Sequence, residues 1–238
     1  MKILVFDIET KPALSYHWRM FKENISVDQN VEPGGILCVG MQWYGEDEVF
    51  TVSEWEDGEE GMLRKVHEKI MEADAVVGKN SIKFDLPHLK TWFLKYNMDP
   101  LPALTHIDLE KVARYQFNFL SNKLDFITQF LDIGSKLDHE GFDLWKKVMD
   151  GDEDARKRML EYCAHDVRIT SQLYDRIKGW IPDHPSIRAT GSEACPTCGS
   201  FKTQHRGYRY TRFFRIARHQ CQNPTCRGWF SGKRERGA

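Results

Sequence analysis

Residues 2–10, Lys-Ile-Leu-Val-Phe-Asp-Ile-Glu-Thr, form an apolar run with β-branched residues, the pattern of a buried strand. Two carboxylates, Asp7 and Glu9, enter while the strand's alternation continues. Residues two apart on a strand face the same way, so both acids would leave one face of a sheet side by side. Like charges this close repel, and each raises the other's pKa unless a cation lies between them. Two readings stand at this point. Either the strand ends at Phe6 and the acids belong to a solvated loop, or the strand delivers an acid pair to a cation.

The rest of the chain supplies a fold class. Residues 11–34 are punctuated by Pro12, Pro33 and Gly34 and read as irregular, with Tyr16, Trp18, Met20 and Phe21 expected in the core ahead of a groove-lining role. Strands are expected at 36–44 and 48–53, joined as a hairpin by Gly45-Glu46-Asp47. A helix follows over 59–72, where Met62, Leu63, Val66 and Ile70 share a stripe, and then a short buried strand at 75–78. Asp85, two residues before Pro87, can cap a helix running to about Tyr96, and a fifth strand is expected at 104–108. From 109 onward the pattern is helical, ending in a long helix over 153–178. The order is that of an α/β protein with a mixed five-stranded sheet flanked by helices.

The long helix carries the decisive residue. One of its rows is Tyr162, Asp166, Ile169, Leu173 and Ile177, at spacings of three and four, which puts Asp166 among apolar side chains. A carboxylate there is costly without a partner. No Arg or Lys lies on that row, so the expected partner is a metal ion. Asp7, Glu9, Asp85 and Asp166 offer hard oxygen ligands, which suit Mg²⁺ or Mn²⁺ better than zinc. Two such ions can bind both the attacking and the leaving oxygen of a phosphodiester. Spacing alone does not bring the four acids together.

These residues resemble the DEDD family of 3′–5′ exonucleases, which have an RNase H-like fold. The first motif stands here as Phe6-Asp7-Ile8-Glu9-Thr10, the second as Asn80-Ser-Ile-Lys-Phe84-Asp85, and the third as Tyr162-Cys-Ala-His-Asp166. The Tyr form of the third motif marks the DEDDy branch. The His form is excluded, because Glu161 occupies the position five residues before Asp166. His165 is no substitute, lying about 100° around the helix from Asp166. The resemblance covers residues 1–180 and implies that Asp7, Glu9, Asp85 and Asp166 hold two Mg²⁺ or Mn²⁺ ions. It also implies that Tyr162 orients the attacking water or helps deprotonate it. Products would be nucleoside 5′-monophosphates. Asn80, Phe84 and His88 could touch substrate, with Phe84 expected in the core. The Thr-Gly often found after the first motif is missing.

The net charge of −1 hides an asymmetry. Residues 1–187 hold 23 Lys/Arg against 33 Asp/Glu, whereas residues 188–238 hold 11 against 2. An acidic body joined to a basic segment points to a polyanionic partner. That segment contains Cys195-Pro-Thr-Cys198 and Cys221-x4-Cys226, which resemble the two knuckles of a zinc ribbon binding one structural Zn²⁺. Between them Arg206, Arg209, Arg212 and Arg215 alternate with Tyr208, Tyr210, Phe213 and Phe214, suiting single-stranded nucleic acid. The competing reading makes the aromatics a small core and the arginines mere solubilisers. Cys38 and Cys163 read as isolated buried thiols.

The expected organisation is an RNase H-like exonuclease unit over 1–182, a linker over 183–193 and a basic zinc ribbon over 194–238. The expected activity is removal of nucleoside 5′-monophosphates from the 3′ end of single-stranded or frayed DNA, with RNA as the alternative substrate. An RNase H-like endonuclease or resolvase and a non-catalytic nucleic-acid-binding adaptor are the competing classes. Nucleic acid is the expected partner, with a DNA polymerase or a replication or repair assembly as a further candidate. With no run of about 18 apolar residues to span a bilayer and no signal-peptide pattern, a soluble, cytoplasmic location and no membrane partner are expected.

Overall fold

The structure, a computed structural model, describes residues 1–137, 140–187 and 193–236. The opening run forms strand β1 (Ile3–Lys11), so Asp7 and Glu9 lie within the strand and the loop reading is set aside. After it come two short strands, β2 (Leu14–Ser15) and β3 (Asn30–Glu32), which pair antiparallel. Then follow β4 (Gly35–Trp43), β5 (Phe50–Ser53), helix α1 (Glu54–Met71), β6 (Ala75–Gly78), α2 (Asp85–Lys95) and β7 (Thr105–Asp108). Helices α3 (Leu109–Gln116), α4 (Leu124–Phe130), α5 (Phe142–Met149) and α6 (Glu153–Ile177) complete this part. Strands β8 (Thr203–Tyr210), β9 (Phe214–Cys221) and β10 (Trp229–Arg236) form a separate antiparallel sheet.

The main sheet has the order β5-β4-β1-β6-β7. Its β5-β4-β1 portion is antiparallel, and β6 and β7 run parallel to β1. This is the mixed five-stranded sheet flanked by helices that the sequence implies, in an RNase H-like arrangement. Alternation along β1 sorts its side chains between two cores. Leu4, Phe6 and Ile8 pack with α1 and α2, while Ile3 and Val5 pack with α3, α4 and α6. Asp7 and Glu9 continue the second set, so they face the side on which α6 lies.

Helix α6 reaches the sheet because β4 carries Gly40 opposite Asp7. A Cβ at Gly40 would stand 2.9 Å from Val167 Cγ2 and 3.1 Å from Cys163 Sγ. Cys38 and Cys163 are both fully buried, as expected, but they are not isolated, since the two thiols are hydrogen-bond neighbours of each other across β4 and α6.

Three expectations fail. Helix α1 starts at Glu54 rather than 59: its first turn is acidic (Glu54, Glu56, Asp57) and lies ahead of the apolar stripe, with non-helical Gly58 (φ 69°) between them. Tyr16, Trp18, Met20 and Phe21 are 77–92% exposed, not core: they lie on the β2–β3 segment, whose two strands pair with each other outside the main sheet. Phe84 is 41% exposed and faces a cleft. The expected linker over 183–193 falls in part, at 188–192, outside the described residues. No described helix is long and apolar enough to cross a membrane.

Candidate metal centres and cleft

Carboxylate oxygens of Asp7, Glu9 and Asp166 lie within 4.8 Å of one another. β1 supplies the first two from one strand face, and α6 supplies the third across the gap opened at Gly40. Beside Glu9 the β1–β4 pairing shifts, so that Glu9 opposes Cys38 and Thr10 opposes Ile36. This bulge makes Leu37 the extra residue and re-aims the strand at the acid pair. Asp85, the first residue of α2, does not cap the helix as expected: the cap position is Phe84 and makes no side-chain bond. Instead the Ile8 N–H donates to Asp85 Oδ1 at 3.3 Å, which ties Asp85 to the backbone between the two β1 acids.

The electrostatics of this group are those of a site with too much negative charge. Burial, then repulsion by Asp85, Glu9 and Asp166, holds the Asp7 carboxyl well above its ordinary range. Burial and Asp166 raise Glu9 from 4.5 to about 8. Burial raises Asp85 from 3.8 to about 7 against two backbone hydrogen bonds that favour its charged form. Asp166 is also raised by burial, even though a cation opposes the shift.

That cation is Lys136, from the segment after α4. Its Nζ pairs with Asp166 Oδ2 and donates to the Tyr162 hydroxyl at 3.0 Å. The expectation that no basic side chain reaches Asp166 is therefore overturned. The helical row shows only same-helix neighbours, and the partner arrives from 30 residues earlier in the chain. Burial would lower the Lys136 pKa, but Asp166 and Tyr162 raise it on balance. The other Asp166 oxygen, Oδ1, is buried with no hydrogen-bond partner among the described residues. Tyr162, one turn from Asp166, is raised by burial and by that carboxylate to about 12.

These groups line an open cleft of about 470 Å³. Lys79 and Lys123 add positive charge to it, and Phe84 and Trp145 add ring faces. Asn80 and His88 are not among the residues lining it. Asn80 shapes the backbone instead, since it holds a left-handed conformation (φ 62°) and its N–H donates to Asp108 Oδ1 at 3.0 Å. Asp108 Oδ2 accepts from Ile82 N–H, and Oδ1 also caps α3 through the Glu110 N–H. This one buried carboxylate fixes the loop that leads to Asp85. Sequence reasoning passed over it, although an Asp at a strand end just before an apolar helical run is a cap signal. His165 points elsewhere, to the Ser135 carbonyl.

A carboxylate oxygen with no partner among the described residues, three acids within ligand distance and carboxyl pKa values pushed up by burial and, at Asp7 and Glu9, also by neighbouring carboxylates all fit a bound divalent cation.

At one end of the C-terminal sheet, Cys221 at the end of β9 and Cys195, Cys198 and Cys226 from the flanking segments bring their sulfurs within 4.8 Å of one another. The Cys195–Cys226 and Cys198–Cys221 separations are 3.9 and 3.6 Å. A tetrahedral zinc with Zn–S bonds of about 2.3 Å needs S···S distances of about 3.8 Å, whereas a disulfide needs about 2.05 Å. The wider second knuckle closes through Asn223, whose carbonyl accepts from both Cys226 and Arg227 N–H. Arg206, Arg209 and Arg212 are exposed with no acidic partner among the described residues. Arg215 pairs with Glu235 at 2.6 Å and lies over the Tyr208 ring. Tyr210 and Phe213 are exposed, so the small-core reading of the aromatics fails for these two.

The family model for the RNase H superfamily (RNase_H_2) matches residues 28–178. That span contains Asp85, Tyr162 and Asp166, while Asp7 and Glu9 precede it. The chain is 29% identical over 109 residues to a DNA polymerase of canine adenovirus serotype 1 (strain CLL), covering 37% of this chain and 10% of the polymerase. Among solved structures it is similar to the family B DNA polymerase of the hyperthermophilic archaeon Pyrobaculum calidifontis, with a TM-score of 0.55 and 16% identity. That superposition covers 75% of this chain and 25% of the archaeal one, and at such identity it speaks for the fold. The chain thus spans about a tenth of the viral polymerase and a quarter of the archaeal one.

Proposed function

The chain belongs to the RNase H superfamily, and from that premise we propose that it is a metal-dependent 3′–5′ exonuclease of the DEDDy type. The observation that carries the reading is the Asp7–Glu9–Asp166 cluster, with an Asp166 oxygen that has no hydrogen-bond partner among the described residues. Asp7, Glu9, Asp85 and Asp166 would hold two Mg²⁺ or Mn²⁺ ions. Bound there, such ions supply Lewis-acid polarisation of a phosphoryl oxygen and stabilise the charge of in-line displacement.

The chain's own residues account for the remainder. Tyr162, with a pKa near 12, keeps its proton at neutral pH, so its role is to orient the attacking water by hydrogen bonding rather than to deprotonate it. Lys136 donates to the Tyr162 hydroxyl and so positions it. Phe84 and Trp145 offer faces against which a terminal base can stack, and Lys79 and Lys123 attract the phosphates.

In this reading residues 1–182 form the exonuclease unit, 183–193 a linker and 194–238 a zinc ribbon. Cys195, Cys198, Cys221 and Cys226 bind one structural Zn²⁺, since four thiolates close the coordination sphere and leave no open position. Exposed Arg206, Arg209 and Arg212 with neighbouring Tyr210 and Phe213 form the nucleic-acid face, and Arg215 supports it through Tyr208. DNA stands ahead of RNA as substrate because the two similar proteins named above are DNA polymerases. Work alongside a polymerase or a repair assembly follows from the same likeness.

The test compares a linear and a circular single-stranded DNA of one sequence in Mg²⁺. An exonuclease degrades the linear strand and leaves the circle intact. Cutting of the circle at a comparable rate would replace this reading by an endonuclease.

A further inference from the structure

Between α6 and the cysteine sheet lies a second cleft, at about 550 Å³ larger than the acidic one. Its floor is a close backbone contact: a Cβ on Gly179 would fall 1.9 Å from the Cys226 carbonyl oxygen, and Gly228 approaches Gly179 Cα to 3.3 Å from its own would-be Cβ. Its walls are aromatic. Trp180 packs edge-on against Phe117 with ring centroids 5.6 Å apart, and Phe119 packs against Phe130 at 5.6 Å. Trp229 stands on the opposite side, with the Arg218 guanidinium 5.8 Å over its ring.

Trp180, Trp229 and Phe130 are 63%, 56% and 65% exposed, a wasteful arrangement for rings that serve only as core. Arg176 and Arg227 also line the cleft, and among the described lining residues there is no Asp or Glu. Flat rings at the rim with guanidinium groups and no carboxylate match bases and phosphates together, which neither an acidic nor a purely apolar peptide would use fully.

The cleft is also in line with the acidic one. Lys123, Leu124 and Asp125 at the start of α4 line the acidic cleft, and Phe130 and Leu131 at its end line the second. Seven helical residues separate the two by about 10 Å. Along α6, Asp166 and Arg176 are about 15 Å apart by helix rise.

We infer that this cleft is a stacking site for single-stranded nucleic acid, holding the strand upstream of the end that enters the acidic cleft. Trp180 and Trp229 stack bases there, and Arg176 and Arg227 take phosphates. The inference extends the exonuclease reading by naming where the rest of its substrate lies. The cleft exists only while the cysteine sheet is seated on α6, so both parts of the chain build it.

The test uses the full zinc-loaded chain without added Mg²⁺ and measures anisotropy of labelled oligodeoxythymidylate and oligouridylate of about 4 and about 16 nucleotides, the span of single-strand site sizes. Trp180→Ala and Trp229→Ala should each weaken binding of the longer oligomer about 5-fold or more. The shorter oligomer, which the acidic cleft alone can hold, should lose little. Arg176→Gln and Arg227→Gln should each reduce the salt slope of the longer oligomer by about 0.7. Zinc content and cooperative melting check that each variant is folded. Unchanged affinity and slope in folded variants overturn the inference and leave the cleft to a protein segment. The exonuclease reading fails separately: wild-type chain in Mg²⁺ would then shorten neither oligomer, while the Trp and Arg effects on binding persist.

Discussion

Asp166 is 2% exposed, pairs through one oxygen with Lys136 and leaves the other without a hydrogen-bond partner among the described residues. Lys136 thus occupies the electrostatic role that a metal also fills, and removing it has opposite effects on binding and turnover. Lys136→Met should tighten Mg²⁺ binding, measured by calorimetric titration, because the acid cluster loses a competing cation. The same change should lower kcat because Tyr162 loses the hydrogen bond from Lys136. Weaker Mg²⁺ binding in the variant would contradict this account. Tyr162→Phe should cost on the order of 10²-fold in kcat with Mg²⁺ affinity unchanged, as expected for a group that orients water without ligating metal. The acids also set a pH dependence. Asp85 near 7 and Glu9 near 8 are raised above their unfolded values of 3.8 and 4.5, so between those limits the folded chain holds protons that the unfolded chain has released. Stability of the Mg²⁺-free, zinc-loaded protein should therefore fall as pH rises from about 4 to about 8. Added Mg²⁺ offsets the repulsion, and the gain in Tm should be larger at pH 8 than at pH 5. An equal gain at both would mean that the acids are not mutually strained.

At the scale of the elements, the site depends on how closely α6 approaches β4. Gly40→Ala places a methyl group 2.9 Å from Val167 and should cost about 1–3 kcal/mol in urea unfolding. It should also weaken Mg²⁺ binding, since the change pushes Asp166 away from Asp7. A stable variant with unchanged Mg²⁺ affinity would show that the approach is not critical. Much of this scaffold was legible in the sequence. Apolar, β-branched runs bounded by turn residues located all five strands of the main sheet, and the three-and-four spacing around Asp166 placed that residue on a buried helix face. The acids on β1 were readable as a pair because strand geometry alone sets their common direction. What stayed hidden depends on groups brought together from distant segments. Lys136 lies in a loop with no periodicity. Asp108 acts through backbone N–H groups of a separate loop. Gly40 signals a close approach only in that a glycine sits inside a strand. The exposed Tyr16, Trp18, Met20 and Phe21 mislead any reading that equates aromatic density with core, and the β8–β10 strands carry too many charges for alternation to show.

At the scale of the whole molecule, an acidic body and a basic sheet are joined where Gly179 meets Cys226. Gly179→Leu should unseat the cysteine sheet, weakening binding of long single strands while leaving Mg²⁺ affinity of the acid cluster intact. Chelation of zinc should act in the same direction, because the hydrophobic cluster there is Cys195, Cys221 and Cys226 with Cys198 and Phe230 packed against them, which leaves little else to fold around. If either treatment leaves long-strand affinity unchanged, the two parts do not share a substrate path. Above these consequences stands the claim that four acids hold the ions that hydrolyse the last phosphodiester of a strand. Its most direct measurement follows a 5′-labelled single-stranded DNA with the zinc-loaded chain in Mg²⁺, beside the Asp7→Asn and Asp166→Asn variants. The account predicts a ladder shortening one nucleotide at a time from the 3′ end, with release of nucleoside 5′-monophosphate. Each variant should slow it at least about 100-fold, equivalent to a few kcal/mol of charge stabilisation. A ladder that persists at the wild-type rate in both variants would contradict the account.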